Sequence, residues 1–208
     1  MNWSSNLPVN WFDVFVVVML GIGYARGKKH GMSQESVAVL KWVALMLLAA
    51  IAYEPLGLWL DSTLQLGKLT SYLIAYTVTA LVVAMVFIFI NRTIGEKLKG
   101  SDAFGKAEFY LAMPAGMLRF ACIVMVLLAL LSARFYSTAE VKAQEKYDIE
   151  NYGSSFFPRL YTVQDDVFKH SFVGKQVKEY LGFLLIKPTP AIGGGSAPAN
   201  AKRKEFTW

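Results

Sequence analysis

The sequence predicts an all-α integral membrane protein, a bundle of four transmembrane helices followed by a C-terminal amphipathic helix. Three observations predict it. Of 208 residues, 55% are hydrophobic and only 17% charged, and the mean hydropathy is +0.39, whereas soluble chains are about a quarter charged. Four stretches are apolar over nearly the length of a span, about 20 residues for a hydrocarbon core roughly 30 Å thick. Lys and Arg are concentrated in alternate connections, as in chains that cross a membrane repeatedly. The same composition excludes a disordered chain. One Cys and two His exclude a disulfide framework and leave too few ligands for a metal centre.

The first helix is expected over 9–25, with Trp11 near its entry. Met1–Pro8 carries no Lys or Arg, so this helix is expected to be retained and not removed as a signal peptide. The second is expected over 37–53, ended by Glu54-Pro55. The third, over 69–90, has no internal charge. The fourth, over 110–133, contains Pro114 and Arg119. The first and third connections carry Arg26, Lys28, Lys29, Arg92, Lys97, Lys99 and Lys106, whereas the second has only Lys68. That asymmetry puts the first and third connections in the cytoplasm and both termini on the opposite side.

Residues 1–136 thus form the transmembrane domain and 137–187 a periplasmic tail. Within the tail, Ser137–Asn151 is polar and helix-friendly, and Thr162 to Asp165 reads as an N-cap with an acid three residues on. Val163, Val167, Val177 and Leu184 recur at helical spacing. Lys169, Lys175 and Lys178 fall between them, so an amphipathic helix over 163–186 is expected on the membrane surface or against the bundle. Residues 188–208 read as a flexible end. The net charge of +6 is dispersed over loops and tail, so no nucleic-acid partner is expected.

No catalytic constellation, phosphate loop or metal-ligand spacing stands out, so no enzyme and no cofactor are expected. Cys122 reads as a small packing residue, and His30 and His170 as solvated ones. Ionisable groups within apolar runs carry more information, because charge at membrane depth is costly. They are Asp13, Lys41 and Arg119. Lys41 is near enough to the cytoplasmic end of its helix for its stem to snorkel. The fourth helix is too short to span without Arg119. Its guanidinium either snorkels to the cytoplasmic headgroups or lies between helices on carbonyls, water or an acid. Asp13 is a poor direct partner, since it enters from the opposite face. Gly23 and Gly27, with Gly31 beyond, recur every four residues, as do Ala112 and Gly116. Such spacing lets two helices approach closely; alternatively, Gly27 and Gly31 are loop glycines.

The run N-W-F-D at Asn10–Asp13, the helix ending G-Y-A-R-G at Gly23–Gly27, and L-A-M-P-A-G-M-L-R at Leu111–Arg119 resemble the colicin V production (CvpA) family of bacterial inner-membrane proteins. S-S-F-F-P at 154–158 resembles that family's Ser/Pro-containing tail. Phe120 replaces a family glycine, Ala112 another, and Glu108 stands where the family tends to have Asp. The resemblance implies a bacterial inner-membrane location, a four-helix module, and an association with toxin production or export and envelope maintenance. It implies no catalytic activity. The expected function is that of an accessory or scaffold protein acting through other envelope or membrane proteins, with the lipid bilayer and a homo-oligomer as further partners. The alternative is a subunit of a small channel or transporter, for which Asp13, Lys41 and Arg119 are the candidate polar path.

Overall fold

The computed structural model describes residues 10–99, 107–152 and 159–190. The Ser154–Pro158 motif, residues 1–9, 100–106 and the end over 191–208 lie outside the described residues. Helix α1 spans Trp11–His30, α2 Met32–Leu64, α3 Lys68–Lys99 and α4 Glu108–Ser132. In the tail, α5 spans Thr138–Tyr152, α6 Leu160–Asp165 and α7 Phe172–Tyr180. Two short strands, β1 Arg134–Phe135 and β2 Thr189–Pro190, pair in parallel. The α2, α3 and α4 segments contain helices long and apolar enough to cross a membrane.

Helices run past the ends of their apolar stretches. Hydropathy falls after Ala25, but α1 continues to His30, because backbone hydrogen bonds do not require apolar side chains. Its last turn holds Lys28, Lys29 and His30, cations that complement the carbonyl end of a helix dipole. The connection expected over 26–36 shrinks to Gly31, whose φ of +74° suits glycine. Likewise α2 does not stop at Glu54-Pro55. Pro55 removes one amide donor, but the carbonyl left without it belongs to Ile51, on the exposed side. Beyond Pro55, Gly57 packs on the Tyr72 ring, and Tyr53 meets Tyr72 edge-on at 5.5 Å. Packing against α3 thus carries the helix through the proline. A turn through Gln65 and Gly67, both with positive φ, returns the chain into α3.

The long helices form a row in the order α3, α2, α4, α1. Helices α1 and α4 are antiparallel, since Gly23 faces Gly116 while Gly27 faces Ala112. Much of α3 beyond its α2-facing stripe is bare, with Leu81, Met85, Ile88 and Phe89 exposed.

The tail is not one helix over 163–186. Helix α6 begins at Leu160, so Thr162 lies inside it and caps nothing. Asp166–His170 widens into a π-turn, and Ser171 is extended, breaking the chain before α7. Helix α7 ends at Tyr180 and a 3-10 turn follows at Gly182–Leu184. Apolar periodicity continued across a break that Ser171 makes by capping: its hydroxyl accepts from the Gly174 amide at 3.0 Å. The capping box lies instead at Ser137 and Glu140, which exchange 3.2 Å side-chain to backbone hydrogen bonds at the start of α5. The buried face of the tail, including Val167, Phe168, Val177 and Ile186, joins one core with Phe12, Val16, Leu128 and Tyr53. The tail therefore docks on the end of the row, where α1 begins and α4 finishes.

Candidate functional site

Two buried carboxylates organise the polar groups of the molecule. The first is Asp13, only 6% exposed. The Asn10 side chain and Asp13 form a capping box at the start of α1. Within it the Asn10 amide donates to Asp13 Oδ2 at 2.9 Å. The other donors come from the tail. Phe172 N–H reaches Oδ2 at 3.0 Å, and Val173 N–H reaches Oδ1 at 2.9 Å. The Ser171 hydroxyl donates to Oδ1 at 2.8 Å. Each oxygen thus accepts two hydrogen bonds. The carboxylate also sits at the N-terminus of α7, where backbone amides are free and the dipole favours negative charge. Beside it the Asn10 side-chain amide donates to the Asp166 carbonyl at 3.0 Å. Asp13 is a clasp that fastens the tail to α1.

The second carboxylate is Glu35, 3% exposed, in the first turn of α2. Arg119 Nη1 reaches its Oε2 at 3.2 Å, and Arg26 Nε lies 3.5 Å from its Oε1. Helices α1, α2 and α4 meet through this triad. Nearby, Glu108 of α4 accepts from the Ser33 amide at 3.2 Å, so an acid of one helix caps the N-terminus of another. A Cβ on Gly31 would come within 2.8 Å of the Glu108 carboxylate.

Between the two carboxylates runs the glycine contact. A Cβ on Gly23 would lie 2.6 Å from the Gly116 carbonyl oxygen, and one on Gly27 would overlap the carbonyl of Ala112. One on Gly116 would overlap the carbonyl of Gly23. These obstacles are backbone, which cannot swing aside as a flexible side chain can. Gly23, Gly27, Ala112 and Gly116 therefore lie in one helix–helix contact, and Gly27 is helical.

Asp13 and Arg119 are not brought together: Asp13 binds the tail, and Arg119 binds Glu35. Arg119 is a partly buried member of an ion triad, with its Nε lacking a partner among the described residues. Lys41 joins neither node through an ion pair among the described residues; its ammonium lies 5.5 Å from the Trp42 ring centroid. Cys122 is buried and free. Glu35, Ser171 and Glu108 were not singled out as site residues from the sequence. Among the described residues there is no cluster of His, Cys, Asp and Glu able to hold a metal.

Such an arrangement fixes helices and tail to one another, with the Asp13 carboxylate satisfied by hydrogen bonds and Glu35 paired with two guanidiniums. No curated protein and no solved structure matches the chain. Residues 12–146, well over half of the sequence, match the family model described as Colicin V production protein. That span holds Asp13, Glu35, Arg119 and the glycine contact, and with its long apolar helices the chain belongs to the colicin V production protein family of membrane proteins.

Proposed function

We propose that this chain is a non-enzymatic accessory or scaffold protein of the bacterial inner membrane. It crosses four times, with both termini periplasmic, and acts through partner proteins in toxin production or export, or in envelope maintenance. The observation that carries this reading is the Asp13 clasp. A helical tail fastened to the membrane row at a buried carboxylate holds a fixed orientation, and a fixed orientation is what a partner-binding platform needs. The fourth crossing is α1. Its run from Trp11 to Ala25 covers about 22 Å by helix rise, a short span that local thinning of the bilayer accommodates, and it lies against the apolar α4 through the glycine contact. A row of helices encloses no path within one chain, so the channel alternative requires several copies around the path.

Co-purification from membranes tests the role. A partner retained at fixed stoichiometry by the natural chain and lost by Asp13→Asn supports the platform; no retained partner in either overturns it. Reporter fusions test the topology. Those after Ser33 and Ser101 are expected to read cytoplasmic and one after Asp61 periplasmic, and a periplasmic reading at Ser101 rejects the orientation.

A further inference from the structure

Where α4 ends and the tail returns, a cavity of about 560 Å³ opens. Its volume is typical of a small-molecule site. Its lining includes four cations, Arg134, Lys169, Lys178 and Lys187, against a single acid, Asp165. The remainder is largely apolar, with Phe135, Phe168, Leu185 and Ile186 among it. Two of the cations are already neutralised: Lys169 pairs with Asp165, and Lys187 with Glu54. Arg134 and Lys178 have no acid partner among the described residues. The Arg134 guanidinium is stacked on Tyr136, 4.5 Å from the ring centroid, and its buried Nε has no acceptor among the described residues.

We infer that this cavity binds one anionic phospholipid, its phosphate held between Arg134 and Lys178 and the first carbons of its chains against Phe135 and Leu185. Placement, charge and shape agree on that occupant. The apolar span of α4 ends at Ser132, which lines the cavity, so the site lies at the level where headgroups meet hydrocarbon. A guanidinium that lines the cavity without an acid partner among the described residues is matched by phosphate oxygens, which accept strong charge-assisted hydrogen bonds. Basic pockets beside membrane helices hold lipid headgroups by this chemistry. The exposed Phe183 and Tyr180 of the same tail supply the aromatic flank that suits an interface.

Native mass spectrometry of the full chain in detergent tests it, with phosphatidylglycerol, phosphatidylcholine of the same acyl chains, and inorganic phosphate as separate probes. Phosphatidylglycerol is expected to be retained about tenfold better than phosphatidylcholine, because both present the phosphate but only phosphatidylcholine adds a choline cation, which Arg134 and Lys178 repel. Arg134→Gln with Lys178→Gln is expected to abolish that preference, while Lys142→Gln on the exposed side of α5 leaves it intact. Should the double variant fail to fold, Lys178→Gln alone, at an exposed side chain, is expected to weaken the preference. Equal retention of both lipids, or a preference unchanged in the Lys178 variant, overturns the proposal. Inorganic phosphate bound as tightly as the lipid, and lost in the same variants, assigns the site to a free anion and overturns the lipid reading.

Discussion

The two ends of the α1–α4 pair bury a carboxylate in opposite ways. At one end Asp13 is met only by neutral donors, three backbone amides and a hydroxyl, each set by the geometry of a helix start. At the other, Glu35 is met by two guanidiniums on long side chains. The first solution is short-ranged and exacting in shape, and it joins segments 158 residues apart in sequence. The second tolerates slack, because ions attract over distance and a guanidinium can pivot. What differs is what remains when the acid is removed. Neutralising Asp13 strands weak donors, whereas neutralising Glu35 strands charges. The clasp is therefore suited to specifying where the tail sits, and the triad to holding three helices together.

The largest expected effect comes from Glu35→Gln. It leaves Arg119, whose side chain is 17% exposed, without its counter-charge, and breaking a buried pair costs about 3–5 kcal/mol. Thermal unfolding in detergent reads this as a large fall in midpoint. Arg119 contributes a single nitrogen to Glu35, not a two-pronged fork, so Arg119→Lys is expected to fall less than Arg119→Leu. Next comes Asp13→Asn. An NH2 group at the Oδ2 position faces two backbone N–H donors, and one at the Oδ1 position still faces the Val173 N–H while the Ser171 hydroxyl turns to accept, a loss of about 1–3 kcal/mol. Its signature is local: hydrogen exchange should speed up over 171–180 while the glycine contact stays protected. If Glu35→Gln proves milder than Asp13→Asn, Arg119 and Arg26 find headgroups unaided, and the contrast between the two ends collapses.

The sequence marked Asp13, Lys41 and Arg119 as polar groups inside apolar runs, with Arg119 either snorkelling or buried, and Gly23, Gly27, Ala112 and Gly116 as a spacing that suits a close helix contact or, for Gly27, a loop, because membrane cost and four-residue spacing are local signals. It did not carry their partners. Glu35 lay in what hydropathy marks as a connection, and hydropathy reports the polarity of side chains, not where a helix begins. Ser171 lay inside an apolar repeat whose period continues across the break. The signal for it was a serine three residues before Gly174, the cap arrangement seen at α7, and the apolar periodicity outweighed it. The extension of α2 past Pro55 depends on Tyr72, on another helix, and no local pattern contains that contact.

Ser171→Ala sharpens the clasp further. It removes one donor to Asp13 and the cap on Gly174, while the three backbone amides to the carboxylate remain. A lost N-cap costs about 1 kcal/mol, so the variant is expected to fall between Asp13→Asn and the natural chain in both unfolding midpoint and exchange over 171–180. A Ser171→Ala variant as loose as Asp13→Asn would mean that the hydroxyl, not the amides, carries the clasp.

The smallest effect belongs to a link between tail and row on the surface. The Lys187 ammonium donates to Glu54 Oε1 at 2.6 Å, with the side chains 65% and 41% exposed. Exposed ion pairs contribute little, because water already solvates both charges and holding two flexible side chains together costs entropy. The hydrogen bond to Glu54, aided by the charge of that carboxylate, raises the Lys187 pKa above its ordinary value. A raised lysine pKa means the folded state holds the proton more tightly than the unfolded one. The contribution is therefore complete below the ordinary lysine pKa and disappears as pH rises through the raised value. Lys187→Met keeps much of the stem and discards the charge. Its unfolding midpoint is expected to fall slightly below that of the natural chain at about pH 8 and to converge with it once pH has risen past the raised lysine pKa. A gap that persists at high pH assigns the stabilisation to stem packing instead of charge. A gap at pH 8 larger than that of Ser171→Ala would make the surface pair a rival of the buried clasp and reverse the order argued for the tail.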